Sequence, residues 1–425
     1  MVKFNENNEV IKSEEYRAVI AGIQTREDIS YYMDELEGLA EAAGAEVCGR
    51  VIQSLEKPNT ATLIGKGKVE ELAEMCRAMD VDLVIFDDEL SGIQIRNLEE
   101  ALEVRVIDRT ALILDIFARR AVSREGKLQI ELAQLKYRMP RLTGMGKSLS
   151  RLGGGIGTRG PGEKKLETDR RHIAGRIDDI KAELKKSVLT RQVQRAGRQK
   201  SGLPVAALVG YTNSGKSALM NRLLEISEKE EKTVDSKDML FATLDAQHRR
   251  ISFKQGKEFI LIDTVGFVSK LPHGLVEAFK STLEEVRYAD VLIHVVDNSY
   301  ENRDFHIETT DRVLEQLGAG NKKKIMVYNK MDLEPEEPVD IGGSRVVCVS
   351  AKTGYNMERL MDAIEEALFG DRKECGMLVP YDRGDIISYL HENSEILSTE
   401  YRQDGTFLRG RFSIEDIEKF KSLVL

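Results

Sequence analysis

The stretch Gly210-Tyr211-Thr212-Asn213-Ser214-Gly215-Lys216-Ser217 has the spacing G-x-x-x-x-G-K-[ST], which suits phosphate chemistry. Its glycines let backbone N–H groups close around phosphate oxygens, and a helix starting there adds a favourable dipole. Lys216 is expected to reach the β- and γ-phosphates, and the Ser217 hydroxyl to bind Mg²⁺. A glycine-rich turn that binds nothing is the plainer alternative. Further on, Asp263-Thr264-Val265-Gly266 offers a carboxylate that can hold Mg²⁺ through water, and a glycine whose N–H can meet the γ-phosphate where a side chain would clash. Asn329-Lys330-Met331-Asp332 offers a carboxylate that can accept from both N1–H and N2–H₂ of guanine, a donor pair adenine lacks. The Lys330 stem would lie along the base, and Asn329 would tie this segment to the phosphate loop. Backbone N–H groups of Ser350-Ala351-Lys352 would meet guanine O6. In Phe241-Ala242-Thr243-Leu244-Asp245, Thr243 is the candidate to complete the Mg²⁺ shell and sense the γ-phosphate, so that the loop orders with GTP and relaxes after hydrolysis. Taken singly, these short segments are also common polar turns.

Their order along the chain gives them weight. Between about 203 and 370 the series resembles the translation-factor-like GTPases, which implies GTP hydrolysis to GDP and phosphate. Phe267 follows Gly266 where many GTPases carry a Gln that orients the attacking water. A Phe neither donates nor accepts a hydrogen bond. Slow intrinsic hydrolysis follows as the expectation, with no firmly assigned catalytic side chain; Lys216, Thr243 and Gly266 support the step. Asn213 stands where several GTPases hold K⁺, and a loop-bracing Asn is the commoner reading.

The elements that must position these residues are legible as apolar runs. Val205–Val209, Phe259–Ile262, Lys324–Tyr328 and Arg345–Val349 read as strands, each directly before a motif, and Ala218–Leu224 reads as the helix after the phosphate loop. Ahead of them, strand-like Arg17–Ile23, Ala45–Ile52, Asp82–Phe86 and Val104–Ile107 alternate with helix-like 26–43 and 68–79, predicting a small, largely parallel α/β domain. Ile64-Gly65-Lys66-Gly67-Lys68 reads as a strand–helix turn. Asp87-Asp88-Glu89 could bind a metal, and more commonly such a cluster caps the helix beginning near Ser91.

Next, Leu128, Leu132, Leu135 and Met139, then Leu166, Ile173, Ile177, Ile180, Leu184 and Val188, recur at helical spacing. They predict an antiparallel helical hairpin whose first helix ends at Pro140. The connection, about 140–162, is rich in Gly and carries Arg141, Lys147, Arg151 and Arg159. These cations, with Gly153, Gly154 and Gly155, are the candidate rRNA contacts, glycines allowing close backbone approach and cations neutralising phosphates. A surface tip without function is the alternative. The tail from 376 has strand-like Leu378-Val379-Pro380 and helix-like 414–420, and no catalytic constellation.

The fold class is therefore α/β multidomain: a parallel α/β domain over 1–115, a helical hairpin over 116–200, a P-loop GTPase domain over 201–370 and a small α+β accessory domain over 371–425. The 425 residues carry a net charge of −9, yet Lys136 to Lys200 holds eighteen Lys or Arg against six Asp or Glu. An acidic chain with one strongly basic element suggests a local polyanion partner. Cys48, Cys76, Cys348 and Cys375 form no C-x-x-C pair, which argues against a disulfide framework or zinc site and fits a reducing cytoplasm. The first residues carry no apolar signal core and no run reaches a membrane span of about 18 residues, so the expectation is a cytoplasmic monomer without a transmembrane segment, at most peripheral at membranes.

Arg151-Leu152-Gly153-Gly154-Gly155-Ile156-Gly157-Thr158-Arg159-Gly160-Pro161-Gly162-Glu163, with Leu166-Glu167 and Asp169-Arg170-Arg171, resembles the signature of the HflX GTPase family. Asp87-Asp88-Glu89-Leu90-Ser91, Asp108-Arg109-Thr110 and Gln134-Leu135 are similar to its amino-terminal domain, and Phe241–Asp245 and Asp263–Phe267 agree with its GTPase domain. Phe267 is then typical of the family. The resemblance, over about 15–370, implies a Mg²⁺-dependent GTPase that binds GTP, GDP and the large ribosomal subunit with its rRNA, and that is linked to separating stalled ribosomes under stress. It also implies a hairpin loop directed at the peptidyl-transferase centre. Two other functions suit the same residues: an NTP-dependent rRNA-remodelling or assembly factor, and a GTP-regulated adaptor of a protein partner.

Overall fold

The structure, a computed structural model, describes residues 3–4, 10–11, 16–26, 28–142, 161–200, 203–227, 247–253, 256–270, 285–334, 345–370 and 372–425. It divides into two compact units. Of the described residues, the first takes those up to 185 together with Ser269 and Lys270; the second takes the rest.

In the first unit a short antiparallel pair, β1 (Lys3–Phe4) and β2 (Val10–Ile11), precedes an alternating α/β run. That run is β3 (Tyr16–Gln24), α1 (Ser30–Ala42), β4 (Ala45–Ser54), α2 (Lys66–Met79), β5 (Leu83–Phe86), α3 (Gly92–Leu102) and β6 (Arg105–Asp108). The strands pair in the order β4-β3-β5-β6, all parallel. Short apolar strands such as Leu-Val-Ile-Phe, buried at every residue, are what a sheet covered on both faces requires. The order turns back at β3, so the crevice at the carboxyl ends of β3 and β5 is where such a sheet can receive a ligand. Helix α1 starts later than the periodicity suggests: the Asp28 carboxylate accepts from the Ser30 N–H (2.9 Å) at its entry. Ser91 and Gln94 form a capping box on α3. Gly65 stands at the start of α2, so the 64–68 stretch is a turn into a helix.

Helix α4 (Arg109–Arg120) is capped by Asp108, which accepts from Ala111 N and Leu90 N, each at 2.9 Å. Then come α5 (Arg124–Arg141) and α6 (Pro161–Lys200). Leu128 and Leu132 pack on Ile177 and Ile180, flanked by Leu135, Met139, Ile173 and Leu184. Two ion pairs fix the direction: Arg124 with Glu183 (2.8 Å) and Glu131 with Arg176 (2.8 Å). As one helix advances the other recedes, so the two run antiparallel. The side chains of Leu166 and Val188 lie outside those described. Pro140 sits inside the last turn rather than ending the helix, which runs to Arg141.

The second unit is built on β7 (Val205–Val209), α7 (Lys216–Ile226), β8 (Gln247–Ser252), β9 (Glu258–Asp263), β10 (Val291–Asp297), α8 (Arg303–Gln316), β11 (Lys323–Asn329), β12 (Arg345–Cys348) and α9 (Met357–Phe369). The six strands lie in the order β12-β11-β10-β7-β9-β8, all parallel except β8, which pairs antiparallel with β9. β7 stands at the point where the order reverses, so its carboxyl end opens onto the ligand crevice. A buried cluster including Leu208, Leu219, Leu223, Leu261, Ile293 and Val327 locks α7 and the sheet together. Burying each such side chain contributes roughly 1.5–3 kcal/mol before the entropy of ordering is counted.

The same unit ends in β13 (Arg372–Val379), α10 (Gly384–Asn393), β14 (Glu395–Arg402), β15 (Gly405–Ser413) and α11 (Ile414–Lys419), with an antiparallel sheet of order β13-β15-β14. Met377, Val379, Ile386, Leu390, Leu408 and Phe412 form its core. Among the described residues no helix is long and apolar enough to cross a membrane.

Candidate nucleotide site

The phosphate loop leaves β7 at Gly210 and enters α7 at Lys216. Gly210 (φ +146°) and Gly215 (φ +89°) hold backbone conformations that only glycine adopts freely. A Cβ at Gly210 would run into the Val295 carbonyl, and one at Gly215 into the Asn329 amide. Lys216 is 6% exposed, its ammonium donating to the carbonyls of Gly210 (3.0 Å) and Tyr211 (2.6 Å). Burial pushes its pKa down to about 8, with Asp263 opposing the shift. Phosphate oxygens are the partners that favour the charged form of so buried an amine.

The Ser217 hydroxyl donates to the Asp263 carboxylate at 2.7 Å, and Asp263 is fully buried at the end of β9. A hydroxyl beside a carboxylate is a hard-oxygen donor set. It suits an ion that keeps most of its water and takes one or two protein oxygens plus substrate phosphates. Among the described residues no cluster of three or more His, Cys, Asp or Glu could hold a metal alone. Asp87 pairs with Arg109 at 2.6 Å and with Lys270, and Ser91 supplies the cap of the helix that follows.

Beyond Asp263 the chain folds back on the phosphate loop. Phe267 N–H donates to Gly210 O (3.2 Å), and Thr212 N–H to Phe267 O (2.7 Å). A Cβ on Gly266 would sit 2.7 Å from Thr212 Cα and 3.1 Å from Lys216 Nζ, so only glycine can pass there. The Phe267 ring is buried and cannot orient water. On the other flank Tyr211 stacks on His306 at 3.8 Å, and Tyr300 stacks on the same ring at 4.6 Å. Burial lowers the His306 pKa to about 4, so the ring is neutral.

The segments that leave β11 and β12 converge. Asn329 donates to Ser214 O (2.9 Å) and accepts from Ala351 N (3.0 Å), joining the phosphate loop to the Ser350-Ala351-Lys352 turn. Asp332 accepts from the Ser350 hydroxyl at 2.6 Å, which aims its carboxylate, and Lys352 lies 3.9 Å from its other oxygen. Lys330 (φ +66°) turns its ammonium to Asp297 at 2.7 Å. The sequence reading did not include Asp297 or Arg222. Asp297 ends β10, itself left out among the apolar runs. Arg222 donates from Nε to Ala351 O (3.0 Å) and from Nη2 to Lys352 O (2.7 Å), holding the Ser350-Ala351-Lys352 turn. Asp297 is foreshadowed by its apolar strand; Arg222, a lone cation on α7, has no local signal.

The structure thus brings together Gly210 to Ser217, Asp263 to Gly266, Asn329 to Asp332 and Ser350 to Lys352. Phe241, Ala242, Thr243, Leu244 and Asp245 lie outside the described residues. So do Lys147, Arg151, Gly153, Gly154, Gly155 and Arg159. Arg141 is described. Its guanidinium carbon lies 3.5 Å from the centre of the Tyr137 ring, and it donates to Leu90 O (3.0 Å), Glu89 (2.8 Å) and Asp108 (3.2 Å). With its side chain 14% exposed, Arg141 braces the amino-terminal sheet.

A phosphate loop at the switch point of a mostly parallel sheet, with Ser217 beside Asp263 and the Asn329–Asp332 segment leaving β11, defines a P-loop nucleotide-binding protein. Four family models match the chain in order: "GTP-binding GTPase N-terminal" at 30–118, "GTP-binding GTPase Middle Region" at 120–198, "50S ribosome-binding GTPase" at 205–330 and "HflX C-terminal domain" at 341–420. The GTPase HflX of Caldanaerobacter subterraneus subsp. tengcongensis is 47% identical over 98% of this chain and 96% of its own. That of Escherichia coli K12 is 42% identical over 90% of each. A GTP-binding protein of Sulfolobus solfataricus, solved with GDP, is 24% identical over 83% of this chain and 98% of that one, with a TM-score of 0.44. The chain belongs to the HflX GTPase family, and it is an enzyme that hydrolyses GTP.

Proposed function

We propose that this GTPase binds the large ribosomal subunit in its GTP form, acts there to split or rescue stalled ribosomes under stress, and leaves after hydrolysis. The carrying observation is the match of residues 205–330 to a domain described as a 50S ribosome-binding GTPase, standing directly after a segment of net charge +12. The partition 1–115, 116–200, 201–370 and 371–425 belongs to this reading: an amino-terminal domain, a hairpin presenting a basic loop, the GTPase and an accessory domain. Lys147, Arg151 and Arg159, with Gly153 to Gly155, are the proposed rRNA contacts.

In the chemical step the residues from Asn213 to Ser217 offer their backbone N–H groups to the phosphates, and Lys216 its ammonium. Mg²⁺ would be held by Ser217, by Thr243 and, through water, by Asp263, and would neutralise charge building on the phosphate oxygens. Thr243 and Gly266 would respond to the γ-phosphate. Asn213, exposed at φ +60°, is the proposed ligand of a K⁺ beside the phosphates. Because the Phe267 ring is buried and apolar, water positioning falls to the bound partner or that cation.

Co-sedimentation with isolated large subunits tests the reading, with GDP against a non-hydrolysable GTP analogue. Stronger binding with the analogue is expected; equal affinity in both states overturns it. If three phosphate contacts are lost in the Lys147, Arg151 and Arg159 to Ala triple variant, the slope of log affinity against log salt should flatten by about 2–3.

A further inference from the structure

Two tyrosine rings stack on one imidazole beside the phosphate loop. His306 stands in the first turn of α8 and is 7% exposed. The Tyr211 ring lies 3.8 Å from it, centre to centre, with the two planes 15° apart; the Tyr300 ring lies at 4.6 Å and 21°. Tyr300 comes from the turn that joins β10 to α8, where its N–H donates to Asp297 O at 3.5 Å. Tyr211 is the second residue of the phosphate loop and is 3% exposed. All of these residues belong to the second unit.

The Tyr211 backbone carries the Lys216 ammonium. Its carbonyl accepts from Lys216 Nζ at 2.6 Å and from the Ser214 N–H at 3.4 Å, and the Gly210 carbonyl accepts from the same ammonium at 3.0 Å. Tyr211 lies outside the named strands and bridges to Phe267. In such a segment the direction of a carbonyl follows the local φ and ψ, and a side chain locked in one rotamer restricts both. Stacked rings in close contact resist tilting, so a ring fixed on His306 fixes the residue that bears it. Burial keeps the imidazole neutral, with Lys216 and Lys330 adding to that effect and Asp297 opposing it. The contact is therefore between flat, uncharged rings, and a phenyl ring can reproduce it.

We infer that His306 and Tyr300 are positioning residues of the phosphate loop: through the Tyr211 ring they set the carbonyl that holds the Lys216 ammonium, and with it the affinity for the β- and γ-phosphates. The inference rests on the reading of Lys216 as the cation that meets those phosphates. If the stack acts in this way, its removal matters only while Lys216 is present. A stack that merely supported the fold would matter equally with or without that side chain.

The test is a double-mutant cycle on the full-length protein. Affinities for GDP and for a non-hydrolysable GTP analogue are measured for the wild type, His306→Ala, His306→Phe, Lys216→Ala and the double variant His306→Ala with Lys216→Ala. His306→Ala is expected to weaken both nucleotides at least about fivefold, and His306→Phe to stay within about twofold of wild type. In the Lys216→Ala background, removing His306 should change affinity by less than about twofold, because the group it positions is gone. Wild-type affinity in His306→Ala overturns the inference, and so does the same fold loss in both backgrounds. His306→Phe as weak as His306→Ala overturns it too, since ring contact would then not be the cause. Should His306→Ala fail to fold, Tyr300→Leu, at a half-buried position, replaces it in the cycle under the same criteria of loss and non-additivity. Wild-type affinity in Lys216→Ala overturns the reading of Lys216 and the inference with it; a loss there with none in His306→Ala sinks the inference alone.

Discussion

At the residue scale the proposed guanine contact is a single carboxylate. Asp332 is aimed by the Ser350 hydroxyl, while Asn329 holds the two flanking segments together. Asp332→Asn replaces one acceptor by a donor. It should weaken GTP by roughly 2–4 kcal/mol and favour xanthosine triphosphate, whose N1–H and O2 suit an amide; competition binding with the two nucleotides checks this. His306 carries a pH signature. Its folded pKa of about 4 lies below the ordinary 6.5, so the unfolded chain protonates first. The stability of the neutral stack is complete above pH 6.5 and is lost as pH falls toward 4, amounting to about 2 kcal/mol by pH 5. Unfolding midpoints at pH 7 and pH 5 should therefore differ less in His306→Phe than in wild type. The motif residues were legible because phosphate and guanine chemistry dictates their types and spacing. Arg222 was not, because its partners Ala351 and Lys352 lie about 130 positions away and only the fold makes them neighbours.

At the scale of elements, the hairpin was readable from period alone. Leu128, Leu132, Ile177 and Ile180 do meet, since a 3.6-residue repeat leaves one apolar stripe per helix and two stripes bury each other. The stripe, rather than the salt links, should hold it. Ile180→Ala is expected to cost roughly 2–4 kcal/mol of unfolding free energy, whereas Glu131→Ala, which breaks an exposed pair with Arg176, should cost under about 1 kcal/mol. Denaturant midpoints compare the two, and equal losses would assign the stability to charge instead. The sheet was less completely legible. The antiparallel edge β8, Gln-His-Arg-Arg-Ile-Ser, has no apolar run, because an edge strand is half solvated and its pairing partner decides its conformation. Pro140 misleads as a helix end since its effect is local, and Arg138 and Pro140 carbonyls still cap the Leu142 N–H.

For the whole molecule, four domain models in one order and near full-length relatives make the family plain, while the partner is an inference from charge and from the GTPase domain's description. The Asp87–Lys270 pairing could not be read from sequence, for it joins residues 183 positions apart through a buried set whose members look like ordinary surface charges. Charge predicts how the molecule behaves in salt: with the basic segment at +12 in a chain of −9, subunit binding should fall steeply as salt rises while GTP binding, seated in a closed backbone loop, changes far less. Binding isotherms at two salt concentrations check it.

The most direct test of the central claim is GTP turnover by the purified protein alone, with naked rRNA and with isolated large ribosomal subunits. A large stimulation by subunits and little by naked rRNA is the predicted result of the proposed function, because the buried Phe267 ring has no polar atom with which to orient water. Turnover unchanged by subunits would contradict the account.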